Sequence, residues 1–105
     1  MAQSEVIELL KKYCALLVLS GIPIEKAFLY GSYARGEATE NSDIDIMIVS
    51  SAFDGTNDEA GIKSWSLTRK IDTRIEPYTV GTKRFLSDNV SPLLQIVKQE
   101  GILIV

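Results

Sequence analysis

The run Asp43-Ile44-Asp45-Ile46-Met47-Ile48-Val49 leaves the chain few choices. Its density of β-branched residues predicts a strand. Side chains alternate along a strand, so Ile44, Ile46 and Ile48 share one face, which must pack on helices. Asp43 and Asp45 point together from the other face, about 6.6 Å apart along the chain. Two carboxylates aimed at one spot repel, and burying them together costs free energy unless a cation intervenes. A pair of divalent ions about 3.5–4 Å apart suits such a pair in phosphoryl-transfer sites. At a solvated strand end the same pair would do nothing, so the surroundings must decide.

Those surroundings alternate helix and strand. Ser4 is an expected N-cap, with Glu5 and Glu8 in a first turn where carboxylates favour the helix dipole. Val6, Leu9, Leu10, Tyr13, Leu16 and Leu17 recur at helical spacing, and Gly21 with Pro23 stops the element. Ala27 to Tyr30 is a short strand ending at Gly31, and residues 32–42 are turn-forming and polar. The stretch from Asp54 to Gly61 is a solvated loop without EF-hand spacing. Ile62 to Lys70 carries apolar residues at helical spacing and places Trp65 in the core. Ile71 to Val80 alternates as a third strand, with Pro77 pointing to a sheet edge or strand end. Pro92 opens a last helix, whose apolar face is Leu93, Leu94, Ile96 and Val97, and Ile102 to Val105 is a short strand or packed tail. Helices among strands give an α/β (α+β) chain, expected as one domain over residues 1–105 without repeat or linker.

Composition removes whole classes of chemistry. The chain has no histidine, which excludes imidazole bases, Ser-His-Asp hydrolysis and His-ligated zinc. Its one cysteine, Cys14, allows neither an internal disulfide nor a thiolate zinc cluster and is expected as a small buried hydrophobe. A net charge of −3 argues against a nucleic-acid surface, which needs clustered Lys and Arg. The N-terminus lacks a basic signal region and no apolar run could cross a bilayer, so a cytoplasmic protein without membrane contact is expected. Acid–base or metal chemistry must rest on carboxylates.

Gly31-Ser32 follows a strand directly. A glycine there lets the backbone approach a ligand, and the next amides can hold phosphate, although Gly-Ser alone also fits a plain capped turn. It is not a Walker loop. Together, Gly31-Ser32, ten intervening residues and Asp43-Ile44-Asp45 at a strand start resemble the signature of the polymerase-β-like nucleotidyltransferase superfamily. The fuller wording, Gly31-Ser-Tyr-Ala-Arg-Gly36 followed by Ser42-Asp-Ile-Asp-Ile46, is similar to its minimal nucleotidyltransferase branch, the antitoxin partners of HEPN-domain toxins. That resemblance implies a palm-like fold, a small mixed β-sheet with helices packed on it.

The family's site adds a third carboxylate on a neighbouring strand, and Asp72 and Glu76 are the candidates. They lie about 13 Å apart along a strand, so both cannot complete one metal site. The family's third acid follows an apolar residue late in this strand, which favours Glu76 over Asp72. The loser would be an edge-strand charge paired with Arg74. Setting aside Asp43, Asp45 and Glu76 balances the remaining acids and bases. Oxygen ligands and phosphate chemistry favour Mg²⁺ or Mn²⁺ over zinc.

The resemblance thus implies transfer of a nucleoside monophosphate, AMP from ATP, to a hydroxyl acceptor on a HEPN-type partner protein. Asp43, Asp45 and Glu76 would be catalytic and metal-binding, and Gly31 and Ser32 would bind nucleotide. Arg35 either pairs the triphosphate or clamps its own loop. Tyr30 and Tyr33 are expected to pack. The alternative is an accessory subunit that keeps the nucleotide pocket but acts by occluding its partner, and self-association is left open.

Overall fold

In the computed structural model, which describes all of residues 1–105, helix α1 spans Gln3–Leu19 and buries Val6, Leu10, Tyr13, Cys14 and Leu17 along one side. The helix starts one residue before Ser4. Ala2 is the cap in place of Ser4, and Glu5 reaches back to accept the Ala2 N–H at 2.9 Å. Ser20 and Gly21 end the helix, the glycine at φ 94°.

Strands β1 (Lys26–Tyr30), β2 (Ile44–Val49), β3 (Ile75–Val80) and β4 (Ile102–Leu103) form one sheet in the order β3-β2-β1-β4. β1 runs antiparallel to β2 and β4, while β2 and β3 are parallel, so the sheet is mixed as expected. Pro77 lies in β3, an edge strand, where its missing N–H costs no ladder bond. β3 begins at Ile75 rather than Ile71, because Asp72 and Arg74 fold residues 72–74 into a hydrogen-bonded turn.

Two cores flank the sheet. On one face Ala27, Leu29, Ile44, Ile46, Ile48 and Ile75 pack with α1. On the other, Met47, Val49 and Val80 pack against Phe85 of α4 (Thr82–Ser87) and Leu94 and Val97 of α5 (Pro92–Glu100). Phe28 and Phe85 stack there with centroids 5.7 Å apart. β2 is therefore buried on both faces along most of its length, and only its first turn-side residues escape the second layer.

Helix α3 (Glu59–Leu67), continued by a 3-10 turn to Lys70, inverts the pattern its sequence suggested. It buries Gly61, Ser64 and Thr68, whereas Trp65 is half exposed. Small residues let the helix approach α1 closely enough for the Tyr13 hydroxyl to donate to the Ser64 carbonyl at 2.6 Å. The Ser64 and Thr68 hydroxyls donate to the carbonyls of Ala60 and Trp65 at 2.8 and 2.7 Å, so they enter the interior without loss. The segment before α3 is solvated, but Asp54 accepts from the Lys83 amide at 3.0 Å and so tethers the start of α4, a helix the sequence reading left unassigned. No helix is long and apolar enough to cross a membrane.

Candidate functional site

β1 ends at Tyr30, and Gly31 turns the chain into the short helix α2 (Ser32–Arg35). Gly31 sits at φ 79°, ψ −152°, in a region closed to most side chains. A Cβ at this position would also collide with the Asp45 carboxylate. The glycine thus does two things: it permits the turn and it brings the turn's backbone against Asp45. No side chain caps the start of α2, which leaves its first amides open to an anion.

The sheet register gathers the acids. Tyr30, Asp45 and Glu76 are abreast on β1, β2 and β3, on the face opposite Ile44, Ile46 and Ile48. The row lies just beyond Phe28, Met47 and Tyr78, the next row on this face. Asp43 precedes β2 by one residue and is exposed, Asp45 is half-buried and Glu76 is exposed. Asp72 stands apart from this group. Both its oxygens are held by Arg74, at 3.1 Å from Nε and 2.7 Å from Nη2.

Electrostatics follow from this placement. Burial first, and then the charge of Asp43, push the Asp45 carboxyl above its ordinary value, with Arg35 pulling the other way. Glu76 is raised by desolvation first and then by the charges of Asp43 and Asp45. Burial, Asp45, Tyr78 and Glu76 together lift the Tyr30 hydroxyl to about 12. Asp72 is shifted down by its hydrogen bonds from Arg74. Of the two third-acid candidates, Glu76 carries uncompensated charge beside the aspartates and Asp72 has already found its cation.

No three acidic or sulfur side chains close into a ready-made metal cage. Chemically, though, Asp43, Asp45 and Glu76 offer oxygen donors, mutual repulsion and no cation bonded to them, which fits a hard divalent ion. Arg35 pairs with Glu37 at 3.4 Å, exposed, which braces its loop, and its charge lowers the Asp45 carboxyl. Tyr33 is buried in the core as expected, whereas Tyr30 is more than packing, since its hydroxyl lies in the field of the acids. Only the strand register reveals that position.

Comparison with known proteins identifies the family and the fold. The family model for the nucleotidyltransferase domain matches residues 7–102. The chain belongs to that family. A candidate protein adenylyltransferase of Methanocaldococcus jannaschii is 49% identical over 45 residues, 43% of this chain and 44% of the relative. A second from the same organism is 69% identical over 26 residues, 25% of this chain and 26% of the relative. These matches thus span less than half of each relative. Among solved structures, a candidate nucleotidyltransferase of Sulfolobus solfataricus superposes with a TM-score of 0.66 at 22% identity, covering 96% of this chain and 80% of that one. A toxin–antitoxin structure with AMP-PNP gives a TM-score of 0.63 at 24% identity over 90% of this chain and 72% of that one. A mutant of the toxin–antitoxin MntA–HpeT gives 0.60 at 21%, over 90% and 71%. At these identities the likeness establishes the shared fold.

Proposed function

We propose that this nucleotidyltransferase moves AMP from ATP to a hydroxyl group on a HEPN-type partner protein, as the antitoxin of a toxin–antitoxin pair. The observation that carries the reading is the register that sets Asp45 abreast of Glu76, with the Gly31 turn pressed against Asp45. The relatives' naming as candidate protein adenylyltransferases favours a protein acceptor and an adenylyl group.

In this reading the acceptor oxygen bonds to the α-phosphorus, the bond from that phosphorus to its bridging oxygen breaks, and pyrophosphate leaves. The open amides of α2 and the Ser32 hydroxyl hold the β- and γ-phosphates, and Arg35 adds positive charge beside them. Asp43, Asp45 and Glu76 would hold Mg²⁺ or Mn²⁺, which supplies neutralisation of the charge that builds on the phosphates. Glu76, as a carboxylate whose proton affinity is raised by burial and by the neighbouring acids, takes the proton from the attacking hydroxyl. Positioning and electrostatics provide most of the acceleration.

The test is to mix the chain with a HEPN-type partner, Mg²⁺ and labelled ATP and to weigh both proteins intact. One added AMP on the partner is expected, with Asp45→Asn and Glu76→Gln losing at least 100-fold in rate, about the loss of a key electrostatic or acid–base group. Label on RNA or a small molecule would refute the protein acceptor. Stable complex formation without any label would instead favour inhibition by occlusion.

A further inference from the structure

Asp72 is not beside the aspartates, yet it connects to their strand through a chain of hydrogen bonds. Its carboxylate takes the Arg74 guanidinium at 3.1 and 2.7 Å and also accepts the Arg74 backbone N–H at 2.9 Å. The Arg74 carbonyl in turn accepts the N–H of Ile44 at 2.9 Å. Ile44 is the residue between Asp43 and Asp45, and this bond is the first contact as β3 comes alongside β2. The turn is anchored from behind as well, since the amides of Ile71 and Asp72 both donate to the Thr68 carbonyl, at 3.0 and 2.8 Å. The pair is sheltered, with Arg74 and Asp72 side chains 35% and 18% exposed. A two-toothed, partly desolvated pair of this kind has a fixed geometry that an exposed ion pair lacks.

We propose that Asp72 and Arg74 are positioning residues, a clamp that fixes the Arg74 carbonyl on the Ile44 amide and thereby sets both the spacing of Asp43 and Asp45 and the alignment of Glu76 with Asp45. The clamp touches neither nucleotide nor acceptor. It acts through the backbone, and this explains why the turn consumes residues that could have extended β3. The inference rests on the proposed cation-binding role of the three acids, so its test separates the two.

Mn²⁺ affinity, followed by calorimetry, and hydrogen exchange of the Ile44 amide, followed by NMR, are measured on folded full-length protein. The variants are Asp72→Ala, Arg74→Lys and the exchanged pair Asp72→Arg/Arg74→Asp, with Glu76→Gln as the direct-ligand control. Asp72→Ala and Arg74→Lys are expected to weaken Mn²⁺ binding about tenfold or more, the usual loss when a group supporting metal ligands is removed. Both should also speed Ile44 exchange. The exchanged pair should fail to restore either, because an arginine at position 72 cannot accept the backbone N–H of residue 74. Restoration by the exchanged pair would overturn the clamp in favour of a plain ion pair. Wild-type Mn²⁺ affinity in folded Asp72→Ala would overturn it too, even if melting temperature falls. If the wild type and Glu76→Gln alike ignore Mn²⁺, the cation role fails. The clamp then stands or falls on Ile44 exchange alone, an unchanged rate refuting it.

Discussion

Gly31 is where the backbone and the chemistry constrain each other most tightly. Its φ of 79° is strained for an L-residue, and a Cβ would strike Asp45, so Gly31→Ala faces both penalties. We expect a loss of about 1–3 kcal/mol, readable as a lower urea midpoint, together with loss of nucleotide binding. A midpoint within error of wild type would show that the turn has another way to settle. Tyr33 should behave oppositely. Its hydroxyl is the one buried side-chain polar atom without a hydrogen-bond partner. Removing it relieves a desolvation penalty, so Tyr33→Phe should raise stability by about 1 kcal/mol, or roughly 4–8 °C in melting temperature. A lower melting temperature would mean that the hydroxyl does find a partner in solution.

At the level of elements, the sequence was informative wherever hydrophobic period and local chemistry agreed. β1 and β2 could be placed because β-branched or apolar runs abut a Gly-Ser turn and an acidic pair, and α1 and α5 because their apolar spacing is regular and their ends are marked by glycine or proline. Asp43 and Asp45 are nameable for a related reason, since strand alternation puts alternate residues on one face; alternation leaves Asp72 and Glu76 together, and only the family resemblance favours Glu76. What alternation cannot supply is which strand lies beside which, so the Tyr30–Asp45–Glu76 row emerged only from pairing. α3 misled because its large apolar residues face out while its small ones meet α1. The period is helical, but the side that carries the small residues is the one that packs inward. This has a measurable consequence. Trp65→Ala should change stability by less than about 0.5 kcal/mol, as surface substitutions do, whereas Ser64→Leu should cost about 1–3 kcal/mol by forcing α3 off Tyr13. Equal losses in a denaturant titration would restore Trp65 to the core.

Across the whole molecule, the site is a charge imbalance that the fold tolerates. Asp45 and Glu76 have carboxyls raised above their ordinary 3.8 and 4.5 by burial and by neighbouring acids, so the folded chain binds protons more tightly there than the unfolded chain does. Their contribution to stability is therefore greatest below those ordinary values and is lost as pH rises through the raised ones. Asp72 and Asp88, both shifted down, work in the opposite sense and lose their contribution as the solution becomes acidic. The repulsion among the site's acids grows as the pH rises, and at pH 7.5 Asp45→Asn should melt a few degrees above wild type in metal-free buffer. That advantage should shrink as the pH approaches 4.5, the ordinary value of Glu76. Mn²⁺ should reverse the ranking. An ion bound only by the folded state at 100 times its Kd adds about 2.7 kcal/mol, enough to lift wild type past the variant, which has lost a ligand. Melting curves at pH 4.5 and 7.5, each with EDTA and with Mn²⁺, separate the possibilities. A variant less stable than wild type in EDTA at pH 7.5 would mean that Asp45 is held by a bond not seen here, and equal Mn²⁺ gains in both proteins would place the ion elsewhere on the surface.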